Sequence, residues 1–162
     1  MRALKLFGAL CVCATALACE ANESVGVFCQ RITNTPASTR GDTVTTTTGL
    51  RYLDLREGTG ILATPCKGVA IKTVGRLENG AVFDSTLAGM QGEFIPGVKQ
   101  IPVRGVEEGV LGMAEGGLRR LIIPPALAYG SESRKAEPGR GFVDIPPNAT
   151  LIYDITLLQA AP

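Results

Sequence analysis

The run Leu121-Ile122-Ile123-Pro124-Pro125-Ala126-Leu127-Ala128-Tyr129-Gly130 constrains the fold more than any other stretch of the chain. Proline has no N–H to give to a sheet, so a strand through Leu121 must end at Pro124. The chain then turns and presents Tyr129, whose ring can line a pocket while its hydroxyl donates a hydrogen bond. Downstream, Ile145-Pro146-Pro147-Asn148-Ala149-Thr150-Leu151 repeats the paired prolines ahead of a second apolar strand. Ten prolines and twenty glycines make turns frequent and leave little room for long helices.

A chain of 162 residues holds one ordinary domain with extras. The formal net charge is +1 and no basic run stands out, so nucleic acid has no electrostatic footprint. There is no histidine. That removes Ser-His-Asp and Cys-His nucleophilic machinery and most zinc sites. No metal or cofactor is expected.

Residues 1–18 read as a secretory signal: Arg2 and Lys5 form the positive end, and residues 6–17 are apolar but short for a bilayer. Ala16-Leu17-Ala18 fits small-x-small cleavage, and Cys19 follows at once. Small residues ending in cysteine resemble a bacterial lipoprotein box, although leucine is usual where Ala16 stands. Lipidation of Cys19 and plain cleavage before it are both open. Cys11 and Cys13 leave with the signal, so Cys19, Cys29 and Cys66 remain, an odd number for an exported protein. With lipid on Cys19, Cys29 and Cys66 become a possible disulfide in an oxidising compartment; two unpaired thiols are the alternative. Residues 19–48 are polar and threonine-rich, without helical period, and read as a tether. The domain is expected over residues 49–162.

Residues 50–55 are a strand candidate, followed by the turn Glu57-Gly58-Thr59-Gly60. Residues 67–77 alternate, with Val69, Ile71 and Thr73 on one face, and Asn79-Gly80 signals a hairpin. Ala81-Val82-Phe83-Asp84-Ser85-Thr86 comes next. Residues 91–97 read as a loop carrying Phe94 and Pro96. Val106, Val110, Leu111 and Met113 are spaced as one face of a short helix, with Glu107 and Glu108 favourable to its N-terminal dipole. In the last strand, Tyr153, Ile155 and Leu157 share a face.

Phe83-Asp84-Ser85, Gly105-x-Glu107-Glu108-Gly109, Pro125-x-x-Ala128-Tyr129-Gly130 and Ile145-Pro146-Pro147 resemble, in combination, the FKBP-type peptidyl-prolyl cis/trans isomerases, here a bacterial exported member. The resemblance implies an α+β fold: a twisted antiparallel sheet wrapped around one short α-helix. It implies Asp84 and Tyr129 as catalytic residues, and Phe83, Val103, Val106, Ile145, Tyr153 and Thr73 as substrate-binding ones. Phe83, Val106, Ile145 and Tyr153 would grip the proline ring, while the Tyr129 hydroxyl and the Val103 N–H bind substrate carbonyls. The departures are aromatic. Val106 stands where tryptophan is usual, Thr73 where tyrosine is usual, Gly92 where phenylalanine is expected and Tyr153 where phenylalanine is commoner; the run Ile101-Pro102-Val103 carries one residue more than usual. The charged loop of residues 131–141 is longer than usual, and reads either as a mobile flank of the pocket or as a tolerated insertion.

An isomerase of this kind breaks no bond. Rotation about a peptide bond meets a barrier of about 18–20 kcal/mol because resonance favours planarity. A dry apolar pocket disfavours the charge-separated planar state more than the twisted one. The resemblance implies an isomerase assisting the folding of exported proteins, and the aromatic departures imply one that is either weak or altered in its preference for the residue before proline. Its partners are proline-containing polypeptides and possible macrolide ligands, and it touches a membrane only through an N-terminal lipid anchor, as a monomer in or facing the periplasm. A non-catalytic chaperone or peptide-binding module on the same fold is the alternative.

Overall fold

The computed structural model describes residues 41–86, 91–98 and 101–162. The expected signal segment, Cys19 and Cys29 lie outside the described residues. Seven strands form one antiparallel sheet: β1 (Thr43–Thr45), β2 (Arg51–Arg56), β3 (Val69–Leu77), β4 (Val82–Ser85), β5 (Gly92–Phe94), β6 (Leu118–Ile123) and β7 (Leu151–Ala160). Among the described residues one α-helix, α1 (Arg104–Val110), packs on β6 and β7, and a 3-10 turn (Pro125–Leu127) follows β6. The strand order is β1-β2-β6-β7-β3-β4, with β5 also paired to β3. This is the α+β architecture of a sheet around one short helix. Among the described residues, no helix is long and apolar enough to cross a membrane.

Period-two burial runs through β6 and β7. Leu151, Tyr153, Ile155 and Leu157 point inward, as do Arg119, Leu121 and Ile123. The paired prolines end β6 as expected, and Asn79-Gly80 closes the β3–β4 hairpin with Gly80 at φ 85. Two glycines let α1 lie close on β6. A Cβ on Gly105 would stand 2.4 Å from Ile123 Cγ2, and one on Gly109 2.4 Å from Leu121 Cδ1. Arg119 is buried beneath the end of the helix. It pairs with Asp54 through two bonds, at 2.6 and 3.0 Å, and donates to the Gly109 and Leu111 carbonyls at 2.9 and 3.1 Å. It thereby satisfies carbonyls that a helix end leaves unpaired.

Several expectations are corrected. The sheet begins before Gly49: Thr43, Val44 and Thr45, within the expected tether, pair with Leu53, Tyr52 and Arg51. Thr48 is also tied down, its hydroxyl donating to Glu108 Oε1 at 2.8 Å. Residues 92–94 are a strand rather than loop, because Phe94 is buried opposite Val69. The helix ends at Val110, so Leu111 and Met113 reach the core from the following turn. There Gly112 takes φ 75 and donates to the Ala63 carbonyl at 3.0 Å. Cys66 is disulfide-bonded, and its partner lies outside the described residues.

Candidate functional site

β3 and β4 slip register between Gly75 and Arg76: Gly75 faces Asp84 while Arg76 faces Val82. Phe83 is the extra residue of this bulge. Bulges break the alternation of the pleat, so the neighbours Phe83 and Asp84 both reach one cavity. On the other edge of β3, Gly75 faces Tyr153 of β7. A Cβ there would lie 2.7 Å from Phe83 Cζ and 3.0 Å from Tyr153 Cε1, so the glycine makes room for both rings. They meet edge to face, with centroids 5.4 Å apart and planes at 82°.

The Tyr153 hydroxyl donates to Asp84 Oδ2 at 3.5 Å. Burial, then the charge of Asp84, pushes the Tyr153 phenol well above the usual tyrosine range. Tyr129 is set by the turn after β6, where Gly130 donates to the Pro125 carbonyl at 2.9 Å and accepts from Asn148 at 2.7 Å. Burial raises its pKa too; Arg134 opposes the rise and Asp84 adds to it. Both phenols therefore stay protonated donors at neutral pH. Val103 caps α1 and is buried with Val106, whose N–H donates to the Val103 carbonyl at 3.0 Å. The Val103 N–H donates to none of the described residues. The buried Glu107 carboxylate accepts from the Ile101 N–H at 3.2 Å and so fixes the approach to Val103.

These residues line two adjoining cavities. The inner one, about 210 Å³, is bounded by Ile71, Thr73, Phe94, Ile101, Val103 and Val106. The outer one, about 330 Å³, is bounded by Phe83, Ile145, Phe142 and the loop cations Arg134, Lys135 and Arg140. Asp84, Pro102, Tyr129 and Tyr153 belong to both. The four residues expected around one proline ring are thus divided. Val106 faces the inner cavity, Phe83 and Ile145 the outer, and Tyr153 stands between. Thr73 lines the inner cavity, but its hydroxyl is engaged with that of Thr86 at 3.1 Å.

Pro102, Phe94 and Phe142 are lining residues that the sequence reading does not assign, while Arg134 and Arg140 belong to the loop it reads as a candidate flank of the pocket. Pro102 carried a signal, since it stands in the one-residue excess before α1. The loop is also better fixed than expected. Arg140 Nη2 donates to the Ser85 carbonyl at 3.3 Å, Val143 donates to Val82 at 3.1 Å, and Arg134 and Ile145 exchange two backbone bonds. Among the described residues, no group of three or more Cys, Asp or Glu side chains could hold a metal ion.

An antiparallel sheet around one short helix, with a largely apolar cavity at the helix N-terminus, defines a fold class that comparison with known proteins makes specific. The family model for FKBP-type peptidyl-prolyl cis-trans isomerase matches residues 62–158. The chain belongs to that family. An FK506-binding protein of Neisseria meningitidis serogroup B is 44% identical over 112 residues, which cover 68% of this chain and 95% of that protein. FK506-binding protein 4 of Neurospora crassa is 44% identical over 117 residues, covering 72% of this chain, which spans only 23% of that longer protein's length. Among solved structures, AtFKBP13 superposes with a TM-score of 0.63 at 33% identity, covering 74% of this chain and 99% of that one. FkpA from Escherichia coli gives 0.60 at 29%, covering 86% and 59%.

Proposed function

We propose that this chain catalyses cis/trans isomerisation of X–Pro bonds in exported polypeptides. The observation that carries the reading is the inner cavity, where apolar side chains from β3, β5 and α1 share the lining with Tyr129, Val103 and Asp84, which offer a hydroxyl, a backbone N–H and a carboxylate. A proline ring in this apolar space would bring the preceding peptide against those groups. Planarity separates charge onto the carbonyl oxygen, and a dry wall stabilises that charge less than water does. The twisted state, which has lost the separation, is favoured by comparison. Donors to the neighbouring carbonyls hold the substrate during rotation, and no proton moves.

Val106 and Thr73 leave the inner cavity with less aromatic surface than is usual in this family, so the proposed activity is weak. Isomerisation of short X-Pro peptides by the purified domain, beside Asp84→Ala and Tyr129→Phe, tests the reading. Rates that fall in both variants support it, and rates equal in all three would remove the site. An FK506-like macrolide, the ligand named for the relatives, is proposed to compete for the same cavity. A second reading, a binding module without turnover, draws on the missing indole at Val106, and suppression of client aggregation without catalysis would favour it.

We also propose that residues 1–18 direct export, that Cys19 carries lipid, and that the mature monomer works in the periplasm or at a bacterial membrane. Cys66 is disulfide-bonded, and the other cysteines are Cys11, Cys13, Cys19 and Cys29. With the first two removed and Cys19 lipidated, Cys29 is its partner. Intact mass of the mature protein, before and after reduction, tests lipid and bridge together.

A further inference from the structure

The outer cavity is left unused by proline binding, and its chemistry differs from that of the inner one. Arg134, Lys135 and Arg140 line it against two carboxylates, Glu137 and Asp84. The Arg134 guanidinium lies over the Tyr129 ring at 4.8 Å and that of Arg140 over the Phe142 ring at 4.9 Å. Stacking on rings at the cavity wall holds both charges in place while leaving N–H edges to bind.

Each guanidinium already has an acid. Arg134 pairs with Glu132 at 3.0 Å, and Arg140 with Glu137 at 2.8 Å. The two carboxylates are 69% and 70% exposed and their guanidiniums 51% and 33%, so both pairs stand within reach of solvent, and Glu137 itself lines the cavity. Exposed pairs hold weakly. An incoming carboxylate can therefore take over a guanidinium at little cost. The loop that carries them is anchored to β4 through Ser85 and Val82, and Asp84 stands on the wall shared with the inner cavity rather than among the loop cations.

We propose that the outer cavity is a subsite for the client residue preceding proline, and that Arg134 and Arg140 select a carboxylate side chain there. The inference rests on the part of the proposed function that seats proline in the inner cavity, not on turnover. Its test uses peptides that differ only before proline, Glu-Pro against Gln-Pro and Lys-Pro. Each is titrated calorimetrically into the full protein and followed by NMR exchange in the same samples.

Glu-Pro is expected to bind about two- to fivefold more tightly than Gln-Pro at low ionic strength, with Lys-Pro weakest and the difference fading as salt is raised. The paired change Arg134→Gln with Arg140→Gln removes the difference, whereas Arg134→Lys with Arg140→Lys keeps a salt-sensitive part of it. If the glutamine pair does not fold, the salt dependence of the native protein decides. Exchange catalysed equally for Glu-Pro and Gln-Pro, with equal affinities, overturns the subsite and leaves the isomerase standing. Preferential binding of Glu-Pro without catalysed exchange upholds the subsite and overturns the isomerase. Absence of binding by every peptide overturns both.

Discussion

The inner cavity is walled by three separate elements, β3, β5 and α1, whereas the far wall of the outer cavity is one loop between Tyr129 and Ile145. The inner wall is bound into the sheet ladder and the helix. The loop holds to β4 through a few hydrogen bonds, and its exposed ion pairs lie within the loop itself. A rigid apolar wall suits a task that is the same for every client, gripping a proline ring. A charged loop suits a task that varies, sorting the residue beside it. Asp84, Tyr129 and Tyr153 stand on the boundary and belong to both.

The comparison breaks most readily at that boundary. Asp84→Ala removes the carboxylate that both cavities share, and hydrogen bonds to charged groups are worth about 1.5–3 kcal/mol. Peptide isomerisation should therefore fall by roughly ten- to a hundredfold. A smaller gain is expected from Val106→Trp, which adds an aromatic wall to the inner cavity alone. At about 0.5–1.5 kcal/mol for such a contact, activity should rise roughly two- to tenfold, measured on a peptide with an uncharged residue before proline.

Stability at high pH sharpens the contrast between buried and half-buried phenols. All three tyrosines, Tyr52, Tyr129 and Tyr153, are raised above their ordinary value of 10.0, first by burial. A raised phenol keeps its proton in the folded chain when the unfolded chain has lost it. Its contribution is thus fully present below pH 10 and is lost as pH rises further. Each contributes a fall of at most about 1.4 kcal/mol per pH unit above 10. Urea melts between pH 8 and 11 should show a shallower fall for Tyr153→Phe than for the native protein. The smallest effect is expected in the loop: Arg140→Ala loses an exposed pair, one carbonyl contact and its stacking on Phe142, and should cost about 1 kcal/mol in the same melts.

What the sequence made legible follows from where the determining physics sits. Proline acts on its own backbone, so the end of β6 at Pro124 and the turn to Tyr129 could be read from the chain alone. β7 was legible because alternation over the eight residues 151–158 outweighs any local ambiguity. β1 and β5 were not, since three-residue strands have too little period to count, and Thr43-Val44-Thr45 sits in a polar threonine-rich run. Arg119 shows an intermediate case. Its inward phase with Leu121 and Ile123 is written in the alternation, but its partner Asp54 lies 65 residues away. The division of the site into two cavities was hidden for the same reason, because it depends on where the 131–141 loop lands against β4. The register slip that turns both Phe83 and Asp84 to one cavity is likewise a property of strand pairing rather than of either residue.

The central claim is that proline occupies the inner cavity, at the N-terminus of α1. Titration of a Leu-Pro peptide into isotopically labelled protein, followed by amide NMR, tests it most directly. The account predicts the largest shifts at the Val103 and Val106 amides, saturating together, with smaller ones at Tyr129 and in the loop. Shifts confined to the loop of residues 131–141, with Val103 and Val106 unmoved, would contradict it.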